Sequence, residues 1–368
     1  MIRAHKIRLN PTPEQETYLR KAVGVSRFVY NWGLARWKEQ KANGVDSYGP
    51  TKLKAEFNAI KRDQFPWALD VTKNAVEDGF RRLGNALNNY FSSKSGKRKG
   101  ERMGFPNFKS KKRAKQTFAL DYERFKVDGH WLSIQKLPTP INMAETLRLQ
   151  GKPKWAYISC RAGKWYASIV VEITESVHLL LPQEAVGVDL GLKTLATLSN
   201  GREFENQKPL RSQLPRLKRL SRRLSRRKEG SNRWWKAKRQ LERFHARIAD
   251  RRLDNAHKVT TEIARTFRMI ATETLNVKGM SKNRRLALSV ADASMSEILR
   301  QLEYKSARLV KVSRWFASSK TCSDCGHVHK ELALSDREWV CSECGVIHER
   351  DWNAAINILQ EALRLTTA

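Results

Sequence analysis

Residues 186–201 read VGVDLGLKTLATLSNG, and this stretch indicates the fold class of the carboxyl-terminal half of the chain. Residues 186–189 form a short apolar run that ends in an acid, which predicts a buried strand. Residues 195–198 predict a second strand after a turn at 191–193. Asp189 therefore ends a strand, and we expect the glycine two residues away on each side to let a ligand approach the backbone.

Two further acids occupy comparable positions. Glu273 ends the apolar run 269–272, and Asp351 begins a helical pattern at 351–358. Taken singly, an acid at a helix start is ordinarily an N-cap, and an acid at a strand end is ordinarily a loop residue. Three such carboxylates can instead converge at one edge of a sheet and hold two Mg²⁺ ions ~4 Å apart, as in phosphodiester hydrolysis. We expect Asp189, Glu273 and Asp351 to form such a site.

Four of the five cysteines fall in two CxxC pairs separated by fifteen residues. The members of the pairs are Cys322, Cys325, Cys341 and Cys344. This spacing predicts one tetrahedral zinc ion, and four thiolates leave no open position, so the zinc should be structural. A transient disulfide pair or a fortuitous arrangement remains the alternative. We expect the fifth, Cys160, to be a small buried apolar residue.

The charge of the chain indicates a polyanionic partner. Its 71 Lys and Arg outnumber 37 Asp and Glu, which leaves a net charge of +34 over 368 residues. Residues 208–252 alone carry 18 basic residues against three acids, in two helical segments broken at 229–232. A charged helix is usually a solvated face, but this density favours nucleic-acid contact. Residues 94–115 are a second basic stretch, either a solvated linker or a strap that contacts phosphates.

The residues that we expect to contact nucleic acid in these stretches are Arg222, Arg223, Arg226, Arg227, Lys109, Lys111 and Lys112. With 40% hydrophobic residues the chain is expected to fold. It lacks both a run of ~20 apolar residues and a signal-peptide core, which predicts a soluble, intracellular protein.

The amino-terminal half divides into a helical part and a β part. Residues 3–9 predict a strand that ends in a turn at 10–13. Apolar residues recur at helical spacing over 14–91, which predicts three or four helices. Residues 117–172 contain several short strand-like runs, which predict a small barrel or sandwich. The first strand could pair into this barrel, and the helices would then be an insertion.

Seven motifs together carry a resemblance to a known family: RFVYNWGL (27–34), GFPNFKSKK (104–112), GVDLGLKTLATLSNG (187–201), ATETLNVKGM (271–280), SSKTCSDCG (318–326), REWVCSECG (337–345) and ERDWNAAINIL (349–359). In this order they closely resemble the TnpB (OrfB) proteins of bacterial and archaeal insertion sequences, which are relatives of the miniature type V CRISPR effectors. The resemblance runs from Ile2 to about Leu363, nearly the whole chain.

This resemblance implies a fold of class α/β plus β that is bilobed. Its parts are a wedge β-barrel, an inserted helical recognition module, and a RuvC-like (RNase H-like) nuclease domain interrupted by a zinc ribbon. The corresponding residues are 1–13 and 114–182 for the barrel, 14–113 for the helical module, 183–320 and 346–368 for the nuclease, and 321–345 for the ribbon.

The resemblance also implies an RNA-guided, Mg²⁺-dependent DNA endonuclease. Asp189, Glu273 and Asp351 fall on the family's three catalytic acids, and the four paired cysteines fall on its zinc ligands. The implied partners are a guide RNA from the transposon end and double-stranded target DNA, with no membrane and no required oligomer. The implied location is the prokaryotic cytoplasm, at the nucleoid. Residues expected to read a short motif beside the target are Tyr48, Lys73, Asn74 and Glu77.

The chain departs from the family at three points. Residues 303–309 are shorter than the usual connection, Ala317 replaces a usual Pro, and Thr274 replaces a frequent second acid. A shortened loop could distort the sheet edge beside the acids. One alternative is therefore a catalytically weak or inactive RNA-guided DNA-binding regulator. Another is a basic structural RNA-binding protein of ribosomal type.

Overall fold

A computed structural model describes residues 2–45, 49–173, 184–333 and 336–367. The chain divides into two compact units, residues 1–176 and 177–368.

The helices of the first unit follow its first strand. They are α1 (Pro13–Ala42), α2 (Pro50–Gln64) and α3 (Lys73–Lys94), with a short 3₁₀ turn at Pro66–Leu69. Thr12 caps α1, since its hydroxyl accepts a hydrogen bond from the Gln15 amide while the Gln15 side chain accepts one from the Thr12 amide. Within the described residues, the predicted three or four helices are confirmed.

The first unit also contains an antiparallel sheet. Its strands are β1 (Ile2–Asn10), β2 (Gln116–Asp121), β3 (Phe125–Asp128), β4 (Trp131–Ile134), β5 (Ile141–Met143), β6 (Lys152–Arg161) and β7 (Lys164–Glu172). The strand order is β2-β6-β7-β1-β5-β4-β3. The two edge strands, β2 and β3, are joined by only Tyr122–Arg124, so the sheet curves into a nearly closed barrel.

The predicted pairing of the first strand is confirmed. β1 lies between β7 and β5, with Ile2 opposite Glu172 and Leu9 opposite Trp165. Helices α1 to α3 are therefore an insertion between β1 and β2. Cys160 is half-buried against the barrel core, less enclosed than expected.

The second unit is built on a mixed sheet. Its strands are β8 (Ala185–Asp189), β9 (Thr194–Leu198), β10 (Glu203–Glu205), β11 (Met269–Glu273) and β12 (Arg308–Val312). The strand order is β10-β9-β8-β11-β12, with β8, β11 and β12 parallel and β9 antiparallel to both β8 and β10. The carboxyl ends of the three parallel strands therefore share one edge of the sheet.

Helices cover both faces of this sheet. They are α4 (Pro209–Ser225), α5 (Asn232–Thr266), α6 (Val277–Lys282), α7 (Ala287–Ala293), α8 (Met295–Lys305) and α9 (Arg350–Thr367). Ile270 packs on one face with residues of α5 and α8, while Ala271 packs on the other with Ile358 and Ala362 of α9. A hairpin of β13 (Glu338–Val340) and β14 (Ile347–Glu349) precedes α9 directly.

Gly187 determines how closely α9 approaches the sheet. A Cβ atom at this position would lie only 2.0 Å from the carbonyl oxygen of Ala355 in α9. The expectation that this glycine admits a ligand was wrong, because the helix backbone takes up that space. Glycine is required here for packing.

The shortened connection does not disturb the sheet. Residues 306–307 are all that separate α8 from β12. β12 nevertheless pairs with β11 in regular register from Met269–Arg308 to Glu273–Val312. The expected distortion of this edge is therefore absent among the described residues. No described helix has both the length and the apolar character that crossing a membrane requires.

Candidate functional site

The three acids singled out from the sequence lie at one edge of the second sheet. Asp189 and Glu273 end the adjacent parallel strands β8 and β11, one residue beyond the pairing of Val188 with Thr272. Asp351 lies in the first turn of α9, which packs on β8 over Gly187. Glu273 and Asp351 follow Asp189 by 84 and 162 positions in the sequence. Parallel strand pairing and helix packing bring all three to the same edge of the sheet.

Asp189 has the most perturbed environment of the three. Its side chain is half-buried, and the pKa of the carboxyl is raised from 3.8 to about 7. Burial is the largest cause, and the negative charges of Glu273 and Asp351 add to it. The nearby Arg350 guanidinium opposes the shift. Asp189 therefore lies in a field of like charge that lacks full compensation.

Glu273 is held by one hydrogen bond from a buried loop residue. Burial raises the pKa of its carboxyl, and the Ser318 hydroxyl, which donates to Glu273 Oε1, opposes that shift. Ser318 itself is 4% exposed.

Asp351 is not the N-cap of α9. The Glu349 carboxylate accepts hydrogen bonds from the amides of Asp351 (3.3 Å) and Trp352 (2.6 Å), so Glu349 caps the helix. The Asp351 carboxylate instead contacts Arg337 Nη1 at 3.2 Å and Arg350 Nη2 at 3.0 Å. The alternative that Asp351 only caps a helix was therefore wrong.

The carboxylate oxygens of the three acids are not gathered into one ligand set. Among the described residues, groups of metal-ligand atoms within 4.8 Å of one another are found at the cysteines and at Cys322, Asp324 and His348. The three carboxylates do not form such a group. Glu273 is instead bonded to Ser318, and Asp351 to Arg337 and Arg350.

The four paired cysteines do form one cluster. Their Sγ atoms lie within 4.8 Å of one another, with Cys322–Cys344 and Cys325–Cys341 each 3.6 Å apart. Tetrahedral zinc with ~2.3 Å bonds requires sulfur atoms about 3.8 Å apart. The observed distances fit that requirement and are far longer than a disulfide bond. His348, which was not predicted from the sequence, lies beside the cluster, with its Nε2 3.0 Å from Cys322 Sγ.

A basic groove lies between α4 and α5 and encloses about 900 Å³. Of the four predicted arginines, it contains Arg223 and Arg227, whereas Arg222 and Arg226 lie outside it. The other cations that line it are Arg216, Arg233, Lys236, Arg239, Arg243 and Arg247. We did not single these out from the sequence, although most of those on α5 recur every three or four residues, which places them on one helix face.

The basic stretch near residue 109 is a docked strap. The Lys109 amide donates to Asn31 Oδ1 at 2.7 Å, and the Asn31 amide nitrogen donates back to the Lys109 carbonyl at 3.0 Å. The Lys109 ammonium lies 5.1 Å from the Tyr30 ring centre. Lys111 and Lys112 are exposed. The segment is therefore fixed to α1 at Lys109, and Lys111 and Lys112 are exposed on its surface.

Two of the four residues expected to read a motif line a polar cavity of about 450 Å³ in the first unit. These are Asn74 and Glu77. Asn74 is buried and its Nδ2 donates to Glu77 Oε2 and Asp121 Oδ2, both at 2.7 Å. Lys73 is exposed and does not line the cavity. Tyr48 lies outside the described residues.

Three segments of the chain match known families. Residues 168–284 match the OrfB_IS605 family, described as "Probable transposase". Residues 296–358 match the family "Cas12f1-like, TNB domain", and residues 1–44 match the helix-turn-helix domain of OrfB_IS605.

Similar proteins cover nearly the whole chain. A protein of Streptomyces pristinaespiralis named "Putative RNA-guided DNA endonuclease" is 34% identical over 98% of this chain and 89% of its own length. InsQ of Escherichia coli K12, which carries the same description, is 32% identical over 97% of this chain and 92% of its own length.

Solved structures share the fold. The protein in a Cas12f1-sgRNA-target DNA complex matches 94% of this chain and 82% of its own, with a TM-score of 0.53 and 15% identity. A second, the mini-RNA-guided endonuclease CRISPR-Cas_phi3, matches 99% of this chain and 92% of its own, with a TM-score of 0.50 and 10% identity. At these identities the likeness concerns the fold alone. With the motifs, the matched segments and the full-length relatives combined, the chain belongs to the TnpB (OrfB) family of insertion sequences.

Proposed function

We propose that this protein is an RNA-guided DNA endonuclease that hydrolyses phosphodiesters of target DNA beside a short adjacent motif. The observation that carries the proposal is the charge environment of Asp189, whose pKa rises to about 7 through burial and through Glu273 and Asp351. In a chain of net charge +34, three acids at one sheet edge that raise the pKa of one of them are typical of a functional site. The names of the full-length relatives support the same activity.

The three carboxylates fit divalent metal ions. Oxygen ligands suit Mg²⁺, and a cation between the acids would relieve the repulsion that perturbs Asp189. When bound, a pair of Mg²⁺ ions activates water and stabilises the leaving oxygen of a phosphodiester. In the proposed site Asp189 and Glu273 would hold the metals from the strand ends, and Asp351 would complete the ligands from the helix start. For Asp351 to bind metal, Arg337 and Arg350 would have to release it.

The cysteine cluster fits one structural zinc ion. Cys322, Cys325, Cys341 and Cys344 would supply all four ligands, so the metal would fold the ribbon and take no part in hydrolysis. The close spacing of the sulfur atoms supports this assignment.

The proposed division of the chain follows from the family. The proposed ranges are 1–13 and 114–182 for a wedge barrel, 14–113 for a recognition module, 183–320 and 346–368 for a RuvC-like nuclease, and 321–345 for a zinc ribbon. The order of the second sheet, with β9 antiparallel and β8, β11 and β12 parallel, supports an RNase H-like core. We propose a cytoplasmic, nucleoid-associated protein.

The guide RNA, from the transposon end, and the target duplex would be bound mainly through phosphates. The basic groove between α4 and α5 and the strap with Lys111 and Lys112 are the proposed contacts. We propose that Tyr48, Lys73, Asn74 and Glu77 help to read the adjacent motif. Base pairing would then choose the target, so the protein itself needs little base-reading apparatus.

One observation favours a second candidate, a weak or inactive RNA-guided DNA-binding regulator. The three carboxylates stand apart, and Asp351 contacts two arginines. If those contacts persisted when nucleic acid is bound, the protein would bind its target without cutting it.

The test is cleavage by the protein purified with the RNA encoded beside its gene. We expect cuts in motif-bearing duplex DNA with Mg²⁺, and a loss of at least about 100-fold in rate for Asp189→Ala, since one preorganised charge commonly contributes that much. Asp254→Ala is the matched control, because Asp254 is an exposed helix residue paired with Lys258. Cleavage that survives Asp189→Ala would refute the site, and RNA-dependent binding without cleavage in the unaltered protein would favour the regulator.

A further inference from the structure

We infer that Ser318 is a positioning residue for Glu273, and that Asn353 and Asn357 of α9 hold the loop that carries it. The inference rests on the proposed nuclease function, because Glu273 is one of its three acids. It deepens that function by assigning roles to residues outside the acid set.

The loop that carries Ser318 contacts Glu273 directly. The Ser318 hydroxyl donates to Glu273 Oε1, and Ser318 itself is buried, so the bond is partly shielded from water. A carboxylate with one oxygen held by a donor has a defined rotamer, which leaves its other oxygen oriented. Residues that hold a metal-ligating carboxylate in this way commonly change metal affinity or activity 10–100-fold when removed.

Two asparagines of α9 hold this loop through hydrogen bonds. Asn357 Nδ2 donates to the carbonyls of Ser318 (2.8 Å) and Thr321 (2.6 Å). Asn353 Nδ2 donates to the Thr321 carbonyl at 2.8 Å, and its Oδ1 accepts from the Ser323 amide at 3.0 Å. Asn353 is 1% exposed and Asn357 is 2% exposed, and the two lie one helical turn apart on α9. The loop therefore takes its position from α9 through buried polar bonds.

The asparagines share α9 with one of the three acids. The same helix carries Asp351 in its first turn and packs on β8 over Gly187. One rigid element thus sets Asp351 directly, and sets Glu273 indirectly through Ser318. The geometry makes α9 the common reference for two acids that come from different parts of the chain.

The same loop continues into Cys322, the first cysteine of the cluster. Its hydrogen bonds could therefore serve only to anchor the ribbon. That purely structural role predicts that removing the Ser318 hydroxyl changes stability but leaves metal binding at the acids unchanged. A measurement of metal binding at the acids therefore distinguishes the positioning role from the purely structural one.

The experiment compares Ser318→Ala with Ser319→Ala in the protein–RNA complex. Ser319 is the adjacent residue and is only half-buried, so it is the matched control. We expect Ser318→Ala to slow single-turnover cleavage 10–100-fold and to raise the Mg²⁺ concentration for half-maximal rate, with DNA affinity unchanged. Ser319→Ala should resemble the unaltered protein, and Ser318→Thr, which keeps the hydroxyl, should recover most of the rate.

A direct binding measurement separates this inference from the proposed function. Titration of the complex with Mn²⁺, followed by electron paramagnetic resonance, reports metal binding without any cleavage. We expect weaker Mn²⁺ binding in Ser318→Ala and weakest binding in Asp189→Ala. If the unaltered complex binds Mn²⁺ but does not cut, the nuclease proposal fails while the positioning role stands. Equal Mn²⁺ affinity in Ser318→Ala and the unaltered complex would overturn the inference.

The asparagines are tested by Asn357→Ala against Gln360→Ala. Gln360 contacts the outer end of the same loop, where its Nε2 donates to the Ser323 carbonyl at 3.3 Å on an exposed face. We expect Asn357→Ala to weaken Mn²⁺ binding as Ser318→Ala does, measured below its melting temperature, and Gln360→Ala to leave it unchanged. Full Mn²⁺ affinity in a folded Asn357→Ala protein would remove the asparagines from the assignment.

Discussion

Glu349 and Asp351 are neighbouring carboxylates at the start of α9 with different partners. Glu349 accepts the helix amides of Asp351 and Trp352, while Asp351 contacts Arg337 and Arg350. A helix start needs one capping acceptor, and Glu349 supplies it. Asp351 therefore has no capping role, and its two arginine contacts compensate its charge.

Asp189 makes the stability of the metal-free protein depend on pH. Its pKa is about 7 in the folded chain against an ordinary 3.8, so between these values the folded state binds more protons than the unfolded state. Stability therefore falls as pH rises through this window, by up to about 4 kcal/mol for a shift of this size. We expect Asp189→Asn to melt at a higher temperature than the unaltered protein at pH 8, and the gap to close towards pH 5.

The measurement is thermal unfolding of both proteins between pH 5 and pH 8 without added Mg²⁺. Adding Mg²⁺ at pH 8 should stabilise the unaltered protein and leave Asp189→Asn nearly unchanged, because only the ionised carboxylate attracts the cation. A gap in melting temperature that is constant across this pH range would show that Asp189 does not titrate as its surroundings indicate.

Helix α9 contacts several parts of the edge of the second sheet that carries the candidate acids. It lies directly on β8, since Gly187 has no side chain, and its side chains reach the loop at Ser318. Asp351 lies in its first turn. A small displacement of this helix should therefore move several candidate site residues together.

Gly187→Ala tests this dependence. The added Cβ would lie 2.0 Å from the Ala355 carbonyl oxygen, so α9 must move away from β8. We expect a loss of about 3 kcal/mol in unfolding free energy, at the upper end for overpacking, and strongly reduced cleavage although all three acids remain. Chemical denaturation and a cleavage assay on the same preparation measure both effects.

Gly24→Ala provides the control for that substitution. Gly24 lies inside α1, and a Cβ there would meet nothing within 4 Å. Alanine in a helix interior is favoured over glycine by about 1 kcal/mol, so this variant should be slightly stabilised and fully active. If Gly187→Ala were as benign as Gly24→Ala, the close packing of α9 would have no functional consequence.

The elements of this edge follow from local patterns, whereas their contacts do not. The apolar runs ending at Asp189 and Glu273 predict β8 and β11, and those strands are confirmed. The packing role of Gly187 depends on Ala355, which is far away in sequence, so no local pattern reveals it. The Ser318–Glu273 bond is equally non-local, and Arg337 meets Asp351 only after the β13–β14 hairpin forms.

At the scale of the whole molecule, the excess of positive charge is concentrated on particular surfaces. The net charge of +34 includes eight cations that line one groove between α4 and α5, with no acid among the described residues that line it. Cations held this close together repel one another unless a polyanion neutralises them. The groove is therefore the strongest candidate for a phosphate contact in the described part of the second unit.

Paired variants on one segment test this groove. Arg223 and Arg227 line it, while Arg222 and Arg226 are their immediate neighbours outside it. We expect Arg223→Ala with Arg227→Ala to reduce the slope of log affinity for RNA against log salt by roughly 1.4–1.8, the contribution of two phosphates. The Arg222→Ala, Arg226→Ala protein has the same net charge and should change the slope much less.

Filter binding between 50 and 400 mM salt measures the slopes. Equal slopes for the two double variants would mean that net charge, rather than the groove, governs RNA affinity. A larger effect from Arg222 and Arg226 would instead place the phosphate contact outside the groove.

The pairing of β1 with β7 has a consequence for how the protein is made. Ile2 lies opposite Glu172, so β1 leaves the ribosome well before β7, and its pairing with β7 is complete only after about 170 further residues have been synthesised. At typical translation speeds of 5–20 residues per second this takes roughly 10–30 s. During that interval β1 is a basic strand without its β7 partner, while the inserted helices can already fold. Chaperones, or RNA that engages the emerging chain, could therefore act on the barrel before it closes.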